Sequence, residues 1–401
     1  IAEKGTWFER TTCSSPLCSP SRASITSGLY PHRIGVIDNF VNYPMGQRTV
    51  FQDLREAGYR VGVVGKTDLH KFDLQYTEEG DSPIMYHWGF TDICETIGKM
   101  AVVTYDPRVM CPYKKYLIDK GELEILKTDY EKRVPMKDRK PGQTGYPIWY
   151  ARENPLPLED NHEMFIARHT EKFLEDLSRQ KEPWFLLSSF VGPHNPWDAP
   201  KDYYDRYKEK IYGEGIADSL EGKPEWVKKR SAMHSEGMTQ RDLMEAKRQY
   251  AGMIKMIDDC VGGFMKKLKE LNQLENTVII FCSDHGEMMG DHGLFEKDVM
   301  YESSIRVPLI ICDPRRKQER RSAAMAELVD LYPTILELAD ISYDKNRLDG
   351  RSLCPVIYGD TKEHKAYQLS ELNNTRMIFD GRYKLIQSHN DRSELYDLEE
   401  D

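Results

Sequence analysis

Short apolar runs without polar alternation take turns along this chain with stretches of helical spacing. Residues 48–57 carry Val50, Phe51 and Leu54 at helical intervals, and Gly58 follows as a stop. A short apolar strand is expected over 59–64. A helix over 163–177 precedes a second strand over 184–191. A longer helix is expected over 243–271, with Ile254, Ile257, Val261, Phe264 and Leu268 on its apolar stripe. Strands follow over 276–282 and 307–312, then a helix over 323–339 that Pro333 should kink or divide. Continuous apolar strands separated by helices predict an α/β fold: a large, mostly parallel mixed sheet sandwiched by helices.

Two regions break this rhythm. Residues 96–160 are rich in Lys, Tyr, Pro and Asp and predict an irregular surface excursion. Their charge runs, 131–133 and 137–140, read as solvated loop. Beyond residue 361 the pattern predicts hairpin strands over 367–370, 375–379 and 382–387, with Asp380-Gly381 at a turn. The expected organisation is a catalytic α/β domain over 1–361 and a small antiparallel β subdomain over 362–401.

Charge narrows the function. A net charge of −10 argues against general affinity for nucleic acid, so local cations must do any anion binding. No apolar run approaches a membrane span, and no signal peptide is recognisable. Eight cysteines are too few and too scattered for a disulfide framework.

The reactive residues fall at the ends of the predicted strands. Gly65-Lys66-Thr67-Asp68-Leu69-His70 follows the first strand, Gly192-Pro193-His194-Asn195-Pro196 the second, and Ser283-Asp284-His285-Gly286 the third. Carboxyl ends of parallel strands share one edge, and ligand sites form there. Asp284 and His285 read as a helix N-cap with its neighbour or as two metal ligands; a carboxylate oxygen suits a hard cation. His194 and Lys66 read as loop and surface residues or as parts of an anion site. Lys297 alone carries little information.

Cys18-Ser-Pro-Ser-Arg22 puts a thiol, a proline and a permanent cation within five residues at the start of a helical run. A cysteine at a helix N-terminus beside arginine is activated and receptive to anions. The other reading is a structural cysteine paired with Cys13.

The stretch Cys18–Gly28, continued by Leu29-Tyr30-Pro31-His32-Arg33, resembles the signature of the type I, formylglycine-dependent sulfatases of the alkaline phosphatase-like superfamily. Residues 283–308, with Gly290-Asp291-His292-Gly293, Lys297 and Arg306-Val307-Pro308, resemble the family's metal motif and its extension. The resemblance implies hydrolysis of a sulfate monoester by the hydrated aldehyde of an oxidised Cys18. Arg22 would fix that group, and Asp284 and His285 would hold calcium, or magnesium. Lys66, Lys297, His194 and His292 would bind the sulfate, His194 would protonate the departing alcohol, and His70 would be the base. It further implies a sulfated small molecule or carbohydrate as substrate, a formylglycine-generating enzyme or anaerobic maturase as partner, and a periplasmic or secreted location.

Two departures leave alternatives. Where relatives read Gly-Lys-Trp-His-Leu-Gly, this chain has Gly65-Lys66-Thr67-Asp68-Leu69-His70, so Asp68 competes with His70 as base. The family's first strand carries a metal-binding Asp pair, and none precedes Cys18. The expectation is a chain truncated at both ends, with its first strand absent. A phosphonate monoester or phosphodiester hydrolase and an inactive anion-binding remnant are the competing readings.

Overall fold

The computed structural model describes residues 1–77, 79–104, 106, 108–133, 150–316 and 321–401. It is a mixed α/β structure in which parallel pairings outnumber antiparallel ones in the α/β part. The expected single sheet is divided in two. One part is all parallel, in the order β3-β2-β4, with β2 Arg60–Lys66 between β3 Asp92–Thr96 and β4 Trp184–Ser189. The other has the order β5-β6-β1-β7, from β1 Thr6–Thr12, β5 Ile279–Cys282, β6 Leu309–Cys312 and β7 Arg321–Glu327. Here β1 pairs in parallel with β7, while β6 is antiparallel to both β1 and β5. The strands β1, β5 and β7 therefore share a direction.

Burial follows strand position. β2, in the middle of its sheet, buries every residue after Arg60. Val61 and Val63 pack with Phe51, Leu54, Trp88 and Phe90, and Val64 packs with Phe165 and Ile166. β4 and β5 are edge strands, and each is only half-buried along its whole length despite a continuous apolar sequence. Coverage on both faces, expected for all such runs, holds for the central strand.

Three helices begin where side chains satisfy free backbone N–H groups. Thr49 and Gln52 cap Val50–Glu56 reciprocally, Asn161 accepts from the Glu163 N–H ahead of His162–Ser178, and Thr239 with Asp242 opens Gln240–Glu270. The long helix buries Leu243, Ala246, Met253, Met256, Ile257 and Cys260, whereas Ile254 is 46% exposed. Of the expected stripe Ile257 and Leu268 are buried and Ile254 is not, because methionines and an alanine serve the contact with Trp197, Ala199 and Phe295.

A strand not anticipated from the sequence, β1, precedes Cys18 inside its sheet, although Glu9 and Arg10 interrupt its apolar pattern; it carries no aspartate. Two expectations change. The helix expected over 323–339 is strand β7 followed by helix Leu331–Leu338. Pairing with β1 overrides the helix propensity of three alanines. Pro333 lies in the first turn of that helix, where its missing N–H costs nothing. The 96–160 region is partly regular, with helices Lys99–Thr104, Pro112–Asp119 and Leu123–Arg133. Arg133 is buried, ion-paired to Asp129 at 2.5 Å, rather than solvated. The run 137–140 lies outside the described residues.

The C-terminal strands form a separate antiparallel sheet, β11-β10-β9-β8, from β8 Gln368–Leu372, β9 Thr375–Phe379, β10 Tyr383–Ser388 and β11 Glu394–Asp397. A buried polar junction fastens it. Lys365 pairs with Glu327 at 2.5 Å and Asp330 at 2.7 Å, His364 reaches Asp330 at 3.0 Å, and the Gln368 amide donates to the carbonyls of Arg10 and Ala326.

Gly65 marks the place where β2 hands over to the site. Its φ is +97°, and a Cβ there would stand 2.0 Å from the Ser189 carbonyl oxygen of β4. Gly58 has φ +89° but open space around it. Gly65→Ala is expected to cost roughly 3 kcal/mol or more, and Gly58→Ala about 1 kcal/mol from backbone strain alone. Urea denaturation midpoints of the two variants check the ranking; equal losses would show that the strand contact is not the constraint.

Candidate active site

Helix Cys18–Ser27 starts at Cys18, directly after the turn that leaves β1. Pro20 lies in its first turn, where helices accept proline. Cys18 is 1% exposed and forms no disulfide; Cys13, the alternative partner, is a free buried thiol. Its Sγ lies 3.3 Å from His285 Nε2. Burial by itself would push this thiol up, but Lys66, Lys71, Lys297 and His285 together hold it well below its ordinary value. The cysteine therefore sits at a buried focus of positive charge.

Arg22, one turn further on, connects three strand ends. Its Nε donates to Asp284 Oδ2 at 2.8 Å, after β5. Its Nη1 donates to the Lys66 carbonyl at 2.6 Å, at the end of β2, and to Ser189 Oγ at 2.9 Å, at the end of β4. Ser21 Oγ donates to the Asp284 carbonyl at 2.5 Å. Burial opposes the charge on Asp284, yet Arg22 and His285 keep its carboxyl far below the usual carboxylate range.

Lys66 and Asp68 face one another, with Nζ 3.0 Å from Oδ2, and Lys71 approaches the same oxygen at 3.3 Å. Despite burial, Lys66 and Lys71 hold Asp68 below its ordinary value. Asp68 has φ +57°, a left-handed conformation that aspartate tolerates better than most residues. His70 is turned elsewhere. Its Nε2 lies 2.6 Å from Glu95 Oε2 in a buried cluster with Tyr76 and Ser82.

His194 and Lys297 form a pair, with Nε2 and Nζ 2.8 Å apart. His194 Nδ1 faces the Asn195 carbonyl at 2.7 Å, which places the proton on Nδ1 and leaves Nε2 to accept from the lysine. Burial first, then Lys297, lowers His194 to about 4, so it is neutral at pH 7. Asn195 Nδ2 donates to Glu296 Oε1 at 2.9 Å and steadies the loop from behind. His292 lies outside this group, with Nδ1 2.6 Å from Asp218 and its ring 5.0 Å from that of Tyr301.

Cys18, Asp284 and His285 place their donor atoms within 4.8 Å of one another, the one such group among the described residues. A calcium ion takes six to eight oxygen ligands. One carboxylate, already engaged by Arg22, and one imidazole do not by themselves make a calcium site.

The structure thus brings together Cys18, Arg22, Lys66, His194, Asp284, His285 and Lys297 and separates His70 and His292 from them. Lys71, Ser189, Asn195 and Glu296 were not anticipated. Lys71 lies three residues past Asp68 and could have been suspected from that spacing. Ser189 and Glu296 reach their partners only through the fold.

Known proteins resemble this chain in sequence and in fold. The Sulfatase family model matches residues 1–341, and that of the N-sulphoglucosamine sulphohydrolase C-terminal region matches 290–401. An arylsulfatase of Clostridium perfringens is 29% identical over 419 residues, which cover 100% of this chain and 82% of that protein. A choline-sulfatase of Rhizobium meliloti is 28% identical over 434 residues, 100% of this chain and 75% of its own length. A phosphonate monoester hydrolase of Agrobacterium radiobacter superposes with a TM-score of 0.78 at 22% identity, covering 100% of this chain and 83% of that one. A structure in complex with its substrate D-glucosamine-2-N,6-O-disulfate superposes with 0.71 at 20% identity, over 99% and 85%. These structural likenesses establish a shared fold, and the family match over most of the sequence goes further: this chain belongs to the sulfatase family.

Proposed function

We propose that this chain hydrolyses sulfate monoesters, using Cys18 in its formylglycine form as the nucleophile. The observation that carries this reading is the convergence of Lys66, Lys71, Lys297 and His285 on one buried cysteine, with Arg22 one turn further along its helix. The hydrated aldehyde supplies one hydroxyl to attack sulfur and a second through which sulfate is later expelled. Lys66 and Lys297 meet the negative charge that develops on the sulfate oxygens, in a buried setting where such contacts count most. Arg22 holds the nucleophile's surroundings in place by joining Asp284, Lys66 and Ser189.

The proton for the departing alkoxide comes from the Lys297–His194 pair. His194 is neutral and cannot start as the acid, but Lys297 is charged and donates to its Nε2. The proton shared on that hydrogen bond passes to the alcohol oxygen as the sulfur–oxygen bond breaks, and the proton lost by the attacking hydroxyl at Cys18 returns to the pair through His194. Asp68 is the base of the second half-reaction, because it faces Lys66 and Lys71 while His70 is committed to Glu95. The family's divalent cation would take Asp284 and His285 among its ligands, with further oxygens required to complete it.

A phosphonate monoester would meet the same cations, and turnover decides between the two. Both esters carry one negative charge at neutral pH, so charge does not separate them. The formylglycine-bearing enzyme is expected to show a higher kcat/KM for nitrophenyl sulfate than for the matching phenylphosphonate. The reverse order would move the protein to the phosphonate reading. Cys18→Ala should remove turnover and leave the melting temperature nearly unchanged; retained hydrolysis would end the nucleophile assignment.

His194→Ala is expected to cost about 100-fold in kcat with an alkyl sulfate and clearly less with nitrophenyl sulfate, since only the poor leaving group needs a proton. Equal losses on both would remove the pair from the acid role. Asp68→Asn should release one equivalent of nitrophenol per site rapidly and then turn over slowly, because only the second half-reaction loses its base. His70→Gln should show no such burst in stopped-flow traces, and a burst there would return the role to His70.

A further inference from the structure

His194 is carried by the loop 192–198, and one buried lysine reaches the groups that hold both ends of that loop. At its start the Gly192 N–H donates to Glu163 Oε1 at 2.7 Å. At its end stands Asp198, whose Oδ2 accepts from Asn154 Nδ2 at 2.7 Å. Lys99 lies between the two acids, with Nζ 2.7 Å from Asp198 Oδ1 and 3.6 Å from Glu163 Oε1. The oxygen that takes the Gly192 N–H is therefore the one that faces the ammonium. All three side chains are buried.

The three come from separate parts of the chain. Glu163 is in the first turn of helix His162–Ser178, Asp198 follows the buried Trp197, and Lys99 opens helix Lys99–Thr104. A buried carboxylate keeps its charge beside a cation, and removing one partner leaves the other uncompensated. Without Lys99, Glu163 and Asp198 would meet as like charges behind the loop. Between the two ends, Pro193 and Pro196 fix φ on either side of His194 and Asn195, so a shift at either end is carried to the imidazole.

The contacts of His194 leave it little slack. Its Nε2 meets Lys297 at 2.8 Å, and its Nδ1 meets the Asn195 carbonyl at 2.7 Å. A proton donor has to stand within hydrogen-bond reach of the departing oxygen, and misplacement by about 1 Å can cost on the order of 100-fold.

We propose that Lys99 is a positioning residue for His194: it ties Glu163 to Asp198 and so sets the span of the loop that presents the imidazole. This rests on the reading of the Lys297–His194 pair as the acid and adds what keeps that pair in line. Lys99 also lines the cleft beside Lys66, Asp68 and His194, so a role through His194 has to be separated from direct contact with the substrate.

The formylglycine-bearing wild type is compared with Lys99→Met on an alkyl sulfate and on nitrophenyl sulfate. With the alkyl sulfate kcat should fall about tenfold or more, and with nitrophenyl sulfate, which leaves without a proton, about twofold or less. In the His194→Ala background, Lys99→Met should add no further selective loss, because both changes act on one donor. The double variant Lys99→Met/Asp198→Asn removes the ammonium together with one of its acids. It should show the same selectivity and serves in place of Lys99→Met if the single variant does not fold. The ring nitrogens of His194, assigned in NMR spectra by their absence from His194→Ala, give a readout without turnover. The Nδ1-protonated form should dominate in the wild type and give way to a mixture of tautomers once Lys99 is replaced. Equal losses on the two substrates, a selective loss that persists in His194→Ala, or an unchanged tautomer overturns the positioning role. Failure of the wild type to hydrolyse nitrophenyl sulfate, or equal losses for His194→Ala itself, would instead defeat the underlying reading, while the spectra still decide whether Lys99 sets His194.

Discussion

The guanidinium of Arg22 is the interaction on which this site depends. Two sheets that share no strand bring their carboxyl ends to it, and it satisfies Asp284, the Lys66 carbonyl and Ser189 with fixed, planar geometry. A buried charge is tolerated only when it is paired and its remaining donors are used. Arg22 meets that condition with a carboxylate and two neutral acceptors, and burial does not discharge it. A lysine would bring the same charge but not the fork that reaches three strand ends at once.

From this centre the electrostatics follow. Lys66, Lys71, Lys297 and His285 together favour a negative charge at Cys18, at the helix start. Asp284 is paired with Arg22 and Asp68 with Lys66 and Lys71, and Glu296 accepts from Asn195. His194 is kept neutral, and the Asn195 carbonyl and Lys297 define its tautomer from both sides.

The C-terminal sheet is bound to the rest by the same logic applied to structure. Glu327 and Asp330 are fully buried acids at the end of β7, and Lys365 and His364 reach back to them from the approach to β8. Tyr30, just beyond the helix that bears Cys18, donates to Glu327 as well. The helix that bears Cys18, strand β7 and the small sheet thus share one polar junction.

Much of this was legible in the amino-acid sequence, because it depends on local rules. The alternation of apolar runs and helical spacing is written into neighbouring residues, and so are the caps, the glycine stops and the hairpin at Asp380-Gly381. The placement of Lys66, His194 and Asp284 at strand ends needed only the rule that parallel strands share an edge. The Cys18–Gly28 signature pointed to the family without any structure. What the sequence could not decide were contacts between distant segments. β1 is a strand because β6 and β7 pair with it, although its own pattern is weak. The 323–339 segment divides into strand and helix because pairing outweighs propensity. His70 and Asp68 stand two residues apart and are chemically eligible for the same task. Only the position of Glu95 on the neighbouring strand β3 turns one away and leaves the other facing the lysines.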